Sequence, residues 1–334
     1  MINLLKTGMS LELCNHTLIP WVLATLVFVI GGLIFASPAA GQQGGPGRKS
    51  GDYDFKISAG GLERYYSVHV PPGYDPSRPT PVILNFHGGC GNPKSQRTIT
   101  MMDQASDRFG FIVVYPQGTG AKFRLINPHG YTWNAGTCCG WAMKHGIDDV
   151  GYVRALLDDL ARQFNIDQKR VCATGISNGA MMCYRLACEL SDRIAAIAPV
   201  AGPMGVTSCH PPRPVSVMHF HGAADQFAPY AGGRGPRSLP GEFFESVDQT
   251  ISFWLKRDNL GGQPRIVRRG KATGSYYGPG ADGSEVVLWS IAGGGHTWPG
   301  GRFGFLGQRI LGELNTDISA NDLMWEFFQR HPLK

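Results

Sequence analysis

Arg170-Val-Cys-Ala-Thr-Gly-Ile-Ser-Asn-Gly179 is a short apolar strand that runs straight into Gly-x-Ser-x-Gly and on into a helix. That order of elements predicts a serine nucleophile elbow, in which a sharp strand-to-helix turn lifts the Ser177 hydroxyl clear of the sheet. Gly175 and Gly179 remove side chains that would collide at the turn. In a chain with 46 glycines in 334 residues the five-residue pattern is weak by itself, and its context carries the reading. Val171 to Ala173 is bounded by charge and by glycine, as a buried parallel strand would be. Downstream, Met182, Leu186 and Leu190 recur at four-residue spacing with no proline from Asn178 to Leu190, which predicts a helix.

A serine hydroxyl needs a base to take its proton and a carboxylate to orient that base. On α/β-hydrolases the three follow the order Ser, acid, His. Of ten histidines, His296 and His331 lie far enough downstream to leave room for an acid. His331 follows an amphipathic helix and is expected on the surface. His296 lies in Ala292-Gly-Gly-Gly-His-Thr-Trp-Pro-Gly-Gly301, a glycine-walled loop after the apolar strand Val286 to Ile291, and is taken as the base. Asp225, just past the strand Val215 to Phe220, is taken as the acid over the alternative of a turn-capping aspartate. His219 and His221, in or at the end of that strand, are expected to be hydrogen-bonded packing residues.

The developing oxyanion needs backbone N–H donors. Val82 to Phe86 reads as a buried strand ending in His87-Gly-Gly-Cys90, and the Gly89-Cys90 turn with the N–H of Asn178 makes the expected pair. His87 precedes the nucleophile by 90 residues and is expected to shape the loop.

These pieces resemble the polyhydroxybutyrate depolymerase-like esterases, a group that includes LpqC-type secreted esterases and relatives among feruloyl and acetylxylan esterases. The resemblance rests on His87-Gly-Gly-Cys-Gly-Asn92, Tyr115-Pro-Gln-Gly118, Trp133-Asn-Ala-Gly-Thr-Cys-Cys-Gly140, Asp148-Asp-Val150, Gly175-Ile-Ser-Asn-Gly179, His221-Gly-Ala-Ala-Asp225 and Gly294-Gly-His-Thr-Trp-Pro-Gly300. It runs in order from about Asp54 to His331. It implies a secreted serine hydrolase of carboxylic esters with Ser177, Asp225 and His296 as its triad, needing no cofactor or metal. Cys90 stands where the family usually has a further glycine. The resemblance also places Trp133 and Asn134 near the site, and Trp298, two residues past the base, is a further expected substrate contact. The ester itself is left open between a polyester or oligoester and an acylated polysaccharide. Because the chain ends at Lys334 without a polymer-binding module, adsorption to crystalline polyester is the weaker expectation.

Net charge is +6, yet the basic residues are scattered and no aromatic-interleaved stripe marks a nucleic-acid surface. Leu18 to Ala36 is almost wholly apolar and is followed by Ser37-Pro-Ala-Ala-Gly, so residues 1–41 read as an export signal, with an uncleaved membrane anchor as the alternative. Residues 42–52 read as a flexible tether and 53–334 as one catalytic domain. Seven cysteines remain after the signal, and export makes disulfides reasonable. Cys183 and Cys188, five apart on one helix, are not expected to pair together, and adjacent Cys138 and Cys139 are expected to seek distant partners. No CxxC spacing with histidines supports zinc.

Six apolar strands, Val82 to Phe86, Phe111 to Tyr115, Val171 to Ala173, Ala195 to Val200, Val215 to Phe220 and Val286 to Ile291, alternate with helical patterns. The expectation is an α/β-hydrolase fold with a mostly parallel sheet and helices on both faces. Asp148 or Asp149 opens the clearest helix and is read as a cap, and a final helix covers about 318–330. A peptidase on the same fold and an exported binding protein that has lost activity are the competing readings. The first would want a cap or propeller domain and the second the loss of a triad member, and the sequence shows neither.

Overall fold

A computed structural model describes residues 47–120, 130–238 and 242–334. The expected leader, residues 1–41, and residues 42–46 of the expected tether lie outside the described residues. Among those residues no helix is long and apolar enough to cross a membrane.

In chain order the elements are β1 (Gly51–Ala59), β2 (Leu62–Val70), β3 (Thr80–Phe86), α1 (Pro93–Thr100), α2 (Met102–Phe109), β4 (Ile112–Pro116), α3 (Gly140–Lys144), α4 (Asp149–Gln163) and β5 (Ile166–Ile176). There follow α5 (Asn178–Glu189), β6 (Ala196–Val200), β7 (Ser216–Gly222), α6 (Val247–Arg257), β8 (Arg265–Arg269), β9 (Ala272–Tyr277), β10 (Val286–Ile291), α7 (Phe305–Leu311) and α8 (Ala320–Arg330).

The strands form one sheet in the order β1-β2-β4-β3-β5-β6-β7-β10-β9-β8. Its middle, β4-β3-β5-β6-β7-β10, is parallel throughout. These are the six strands legible as apolar runs, because helices cover both faces and every residue must suit an interior. Successive side chains divide between two cores: Val82, Leu84 and Phe86 pack with α4, α5 and α6, while Ile83 packs with α2 and α8. On α4, Leu156, Leu157 and Leu160 are fully buried, each worth about 2 kcal/mol relative to exposure.

The sheet extends beyond the expected strands at both edges. The antiparallel pairs β1-β2 and β8-β9 alternate buried and exposed positions or lie exposed, so they carry no apolar run. β1 starts at Gly51, within the expected tether. His331 is buried rather than on the surface, because Ser216 Oγ and Glu285 Oε2 each hold one ring nitrogen at 3.1 Å.

Asp148 caps α4, its carboxylate accepting from the Gly151 N–H at 2.7 Å. Asp149 turns inward to pair with Arg64 at 2.6 Å, both side chains buried, and accepts the Asn134 N–H at 2.8 Å. Cys188 is bonded to Cys209, leaving Cys183 apart as expected. Cys138 and Cys139 are bonded to each other, which corrects the expectation of distant partners. The chain folds back tightly there, with Ala135 N–H donating to the Cys138 carbonyl and Cys139 N–H to the Trp133 carbonyl, so the two sulfurs meet.

Candidate active site

The parallel strands deliver the chemical groups to one edge of the sheet. β3 ends just before His87, β5 just before Ser177, β7 three residues before Asp225, and β10 five residues before His296. Open parallel sheets bind ligands outside the carboxyl ends of their strands.

Ser177 sits between β5 and α5 with φ 58° and ψ −123°, a left-handed backbone that only a tightly determined turn sustains. The turn is held by Ser177 N–H donating to the Val200 carbonyl at 2.9 Å. Gly179 packs so closely on β3 that a Cβ there would run into the carbonyl oxygens of Phe86 and His87. The elbow is thus wedged against the strand that carries the first loop.

His296 Nδ1 lies 2.7 Å from Asp225 Oδ2, while Asp225 Oδ1 accepts the Phe227 and Ala228 N–H groups at 2.8 and 3.0 Å. Burial alone would raise the Asp225 carboxyl, but the charge and hydrogen bond of His296, the nearby His221 and the backbone donor at Ala228 outweigh it and hold the group below its ordinary value. The His296 N–H is pinned to the Leu311 carbonyl at 2.6 Å, and the Phe227 ring lies 5.1 Å from the imidazole. With Nδ1 committed to the carboxylate, Nε2 is the nitrogen left to accept a proton. Ser177 and His296 line one cavity of about 290 Å³, together with Cys90, Phe227, Phe303 and Leu311.

The first loop differs from expectation in one donor. Cys90 has φ 61° and its N–H donates to the Tyr131 carbonyl at 2.8 Å, which takes it out of the oxyanion role. Gly89 remains beside Asn178, where a Cβ would lie 3.9 Å from the Asn178 Cβ. His87 shapes this turn: Nδ1 donates to the Gly88 carbonyl at 2.8 Å and Nε2 accepts from the Gly118 N–H at 3.0 Å. Burial drives its pKa down to about 4, so the ring is neutral and its tautomer fixed.

The three expected substrate contacts take other places. Trp133 is fully buried, its Nε1 donating to the His87 carbonyl at 2.9 Å, and its backbone N–H and C=O are both bound by the Asn178 side chain at 2.7 and 3.0 Å. Asn134 Nδ2 donates to the Ile147 carbonyl at 2.9 Å. Trp298 is also fully buried, donating from Nε1 to Asn321 on α8 at 3.0 Å. Trp133, Asn134 and Trp298 all lie off the cavity wall, and their work is to brace the loops behind it. The wall is supplied instead by Gln96, Ile99, Met181, Phe244, Phe303 and Leu311, none of which the sequence had marked. Their signal was weak because they come from five separate segments.

Among the described residues Cys138, Cys139 and Glu242 lie close enough to share a cation, but the two sulfurs are joined, which removes the thiolates a metal would use.

The chain is 28% identical to Feruloyl esterase B of Piromyces equi over 71% of its own length, and spans 43% of that longer protein. It is 28% identical to the Putative esterase NocK of Nocardia uniformis subsp. tsuyamanensis, covering 81% of each chain. Among solved structures, the acetyl xylan esterase from Aspergillus awamori matches with TM-score 0.54 and 15% identity, over 83% of this chain and 99% of that one, a likeness of fold. The sequence profile described as Esterase PHB depolymerase matches residues 64–241, more than half of the chain, and covers the first loop, the elbow and Asp225. The protein therefore belongs to the esterase PHB depolymerase family, on an α/β-hydrolase fold.

Proposed function

We propose that this protein is an exported serine esterase that cleaves carboxylic esters through an acyl-enzyme on Ser177. The observation that carries the reading is the buried His296 to Asp225 hydrogen bond, with His296 opening onto the same cavity as the strained Ser177 elbow. Ser177 Oγ attacks the ester carbonyl while His296 Nε2 takes its proton, and Asp225 steadies the imidazolium that forms. The N–H groups of Asn178 and Gly89 receive the charge on the carbonyl oxygen. His296 then protonates the departing alcohol. In the second half a water loses its proton to His296, attacks the acyl carbon and frees Ser177.

The favoured substrate is a hydroxyalkanoate polyester or oligoester, in keeping with the family and with the apolar wall of Ile99, Met181, Phe244, Phe303 and Leu311. A feruloyl or acetyl ester of a polysaccharide is the second reading, favoured by the relatives named as feruloyl esterases and by a bifunctional acetylxylan esterase/xylanase of Neocallimastix patriciarum. The chain from Gln42 onward, incubated with amorphous polyhydroxybutyrate, methyl ferulate, acetylated xylan and a short-chain nitrophenyl ester beside Ser177→Ala, tests both. Hydroxybutyrate release that vanishes in the variant is expected. Turnover of the ferulate or xylan alone replaces the first reading by the second, and turnover of nothing removes both.

A further inference from the structure

Two imidazoles of β7 are bound to each other beneath the acid loop. His219 Nε2 lies 3.0 Å from His221 Nδ1, Tyr184 Oη lies 2.8 Å from His219 Nδ1, and His221 Nε2 lies 2.8 Å from the Ala228 carbonyl. All three side chains are buried, and the two rings stack at 5.2 Å. Burial lowers the basicity of both imidazoles, with the Asp225 charge and the Ala228 carbonyl only partly restoring that of His221.

One acceptor then fixes every proton in the chain. A carbonyl can only accept, so His221 Nε2 must carry the hydrogen that goes to Ala228. A neutral His221 with that proton has a bare Nδ1, so His219 must donate from Nε2. The Nδ1 of His219 is in turn bare and must receive the Tyr184 hydroxyl proton. The direction is therefore single: Tyr184 to His219 to His221 to Ala228. Tyr184 stands on α5, seven residues after Ser177, and Ala228 is the residue whose N–H binds Asp225 Oδ1. His221 Nε2 also lies 3.5 Å from Asp225 Oδ2, the oxygen that meets His296.

We propose that Tyr184, His219 and His221 are positioning residues for the reaction, a one-directional hydrogen-bond chain that starts on the nucleophile's helix and clamps the turn presenting Asp225 to His296. The proposal rests on the assignment of Ser177, Asp225 and His296 as the reacting groups. It differs from a packing role in what it demands of position 221. A packing residue needs shape, whereas this chain needs an N–H at the Nε2 position. Displacing a reacting group by about 1 Å is enough to cost on the order of a hundredfold in rate.

The test uses the full chain with His221→Leu, His221→Gln and Tyr184→Phe, read by kcat and KM on a nitrophenyl ester and by nitrogen-15 resonances of labelled histidine. In the parent protein both His219 and His221 should resonate as neutral Nε2–H tautomers at neutral pH. His221→Leu should lower kcat by roughly 10- to 100-fold with KM within about threefold, and His221→Gln, whose amide N–H falls near the lost Nε2–H, should recover to within about fivefold of the parent. If His221→Leu does not fold, Tyr184→Phe, which removes one oxygen, carries the test, with mixed His221 tautomers and kcat several-fold down. Nδ1–H tautomers in the parent, unchanged kcat in His221→Leu, or an equal loss in the Leu and Gln variants would overturn the proposal. Failure of the esterase assignment would look different: the parent would turn over no ester while the tautomers stayed as described.

Discussion

Asp225 Oδ2 receives the Nδ1 of His296 at 2.7 Å, while its other oxygen is filled by two backbone N–H groups from its own turn. The carboxylate is therefore aimed, with one lone-pair site reserved for the imidazole. Asp225→Asn should keep the turn but offer the imidazole an amide, favouring the wrong tautomer. A fall in kcat of about 10³- to 10⁴-fold with little change in KM is expected from steady-state kinetics. A loss under tenfold would mean that Asp225 does not orient the base.

Gly179 is the contact between the elbow and β3. Gly179→Ala should push Ser177 and the His87 loop apart, destabilising the fold by about 3 kcal/mol and reducing kcat. Thermal unfolding and turnover of the same preparation check this, and a variant with parent values for both would show that the wedge is slack.

Arg64 and Asp149 are a buried ion pair, and Arg64 also lies over the Tyr152 ring at 3.8 Å. Removing one partner strands the other charge, so Arg64→Met should cost about 3 to 5 kcal/mol in urea unfolding. The double variant Arg64→Met with Asp149→Leu should recover part of that loss. Because Asp149 also accepts the Asn134 N–H, the double variant loses that anchor while the single variant keeps it, so the Trp133 loop and activity should suffer more in the double variant even as stability is partly restored.

Glu285 joins the start of β10 to the chain end through hydrogen bonds from His331 and Arg330, which hold its carboxyl down at about 2 against an ordinary 4.5. A folded pKa below the unfolded one gives stability that is present above about 4.5 and lost as pH falls toward 2. Glu285 is partly exposed, so screening limits its worth to about 1 kcal/mol. Glu285→Gln should therefore be less stable than the parent at pH 7 by about that amount, with the gap closing between pH 5 and 2. A gap independent of pH would exclude the ion pairing as its source.

The parts of the fold legible in the sequence were those under a single strong constraint. The six central strands are buried on both faces and show as apolar runs, whereas β1 and β8 read as ordinary polar segments because one face or both meet water. Ser177, Asp225 and His296 stood out because each follows a strand, and turns at strand ends are where polar residues need a reason. Trp298 was misplaced for a physical cause: nearness in sequence to His296 does not say which way a ring turns, and Trp133, placed by resemblance, turns its Nε1 to the His87 carbonyl. Trp298 turns toward Asn321 on α8, a partner 23 positions away. Cys90 shows the same limit, since its N–H is claimed by Tyr131, whose approach depends on a loop 41 residues further along.

The most direct test of the account is covalent labelling of the parent protein with a fluorophosphonate, followed by peptide mass mapping. The account predicts one label per chain, on Ser177, formed in step with loss of ester hydrolysis and much slowed in His296→Ala. A label elsewhere, or hydrolysis that survives full modification of Ser177, would contradict it.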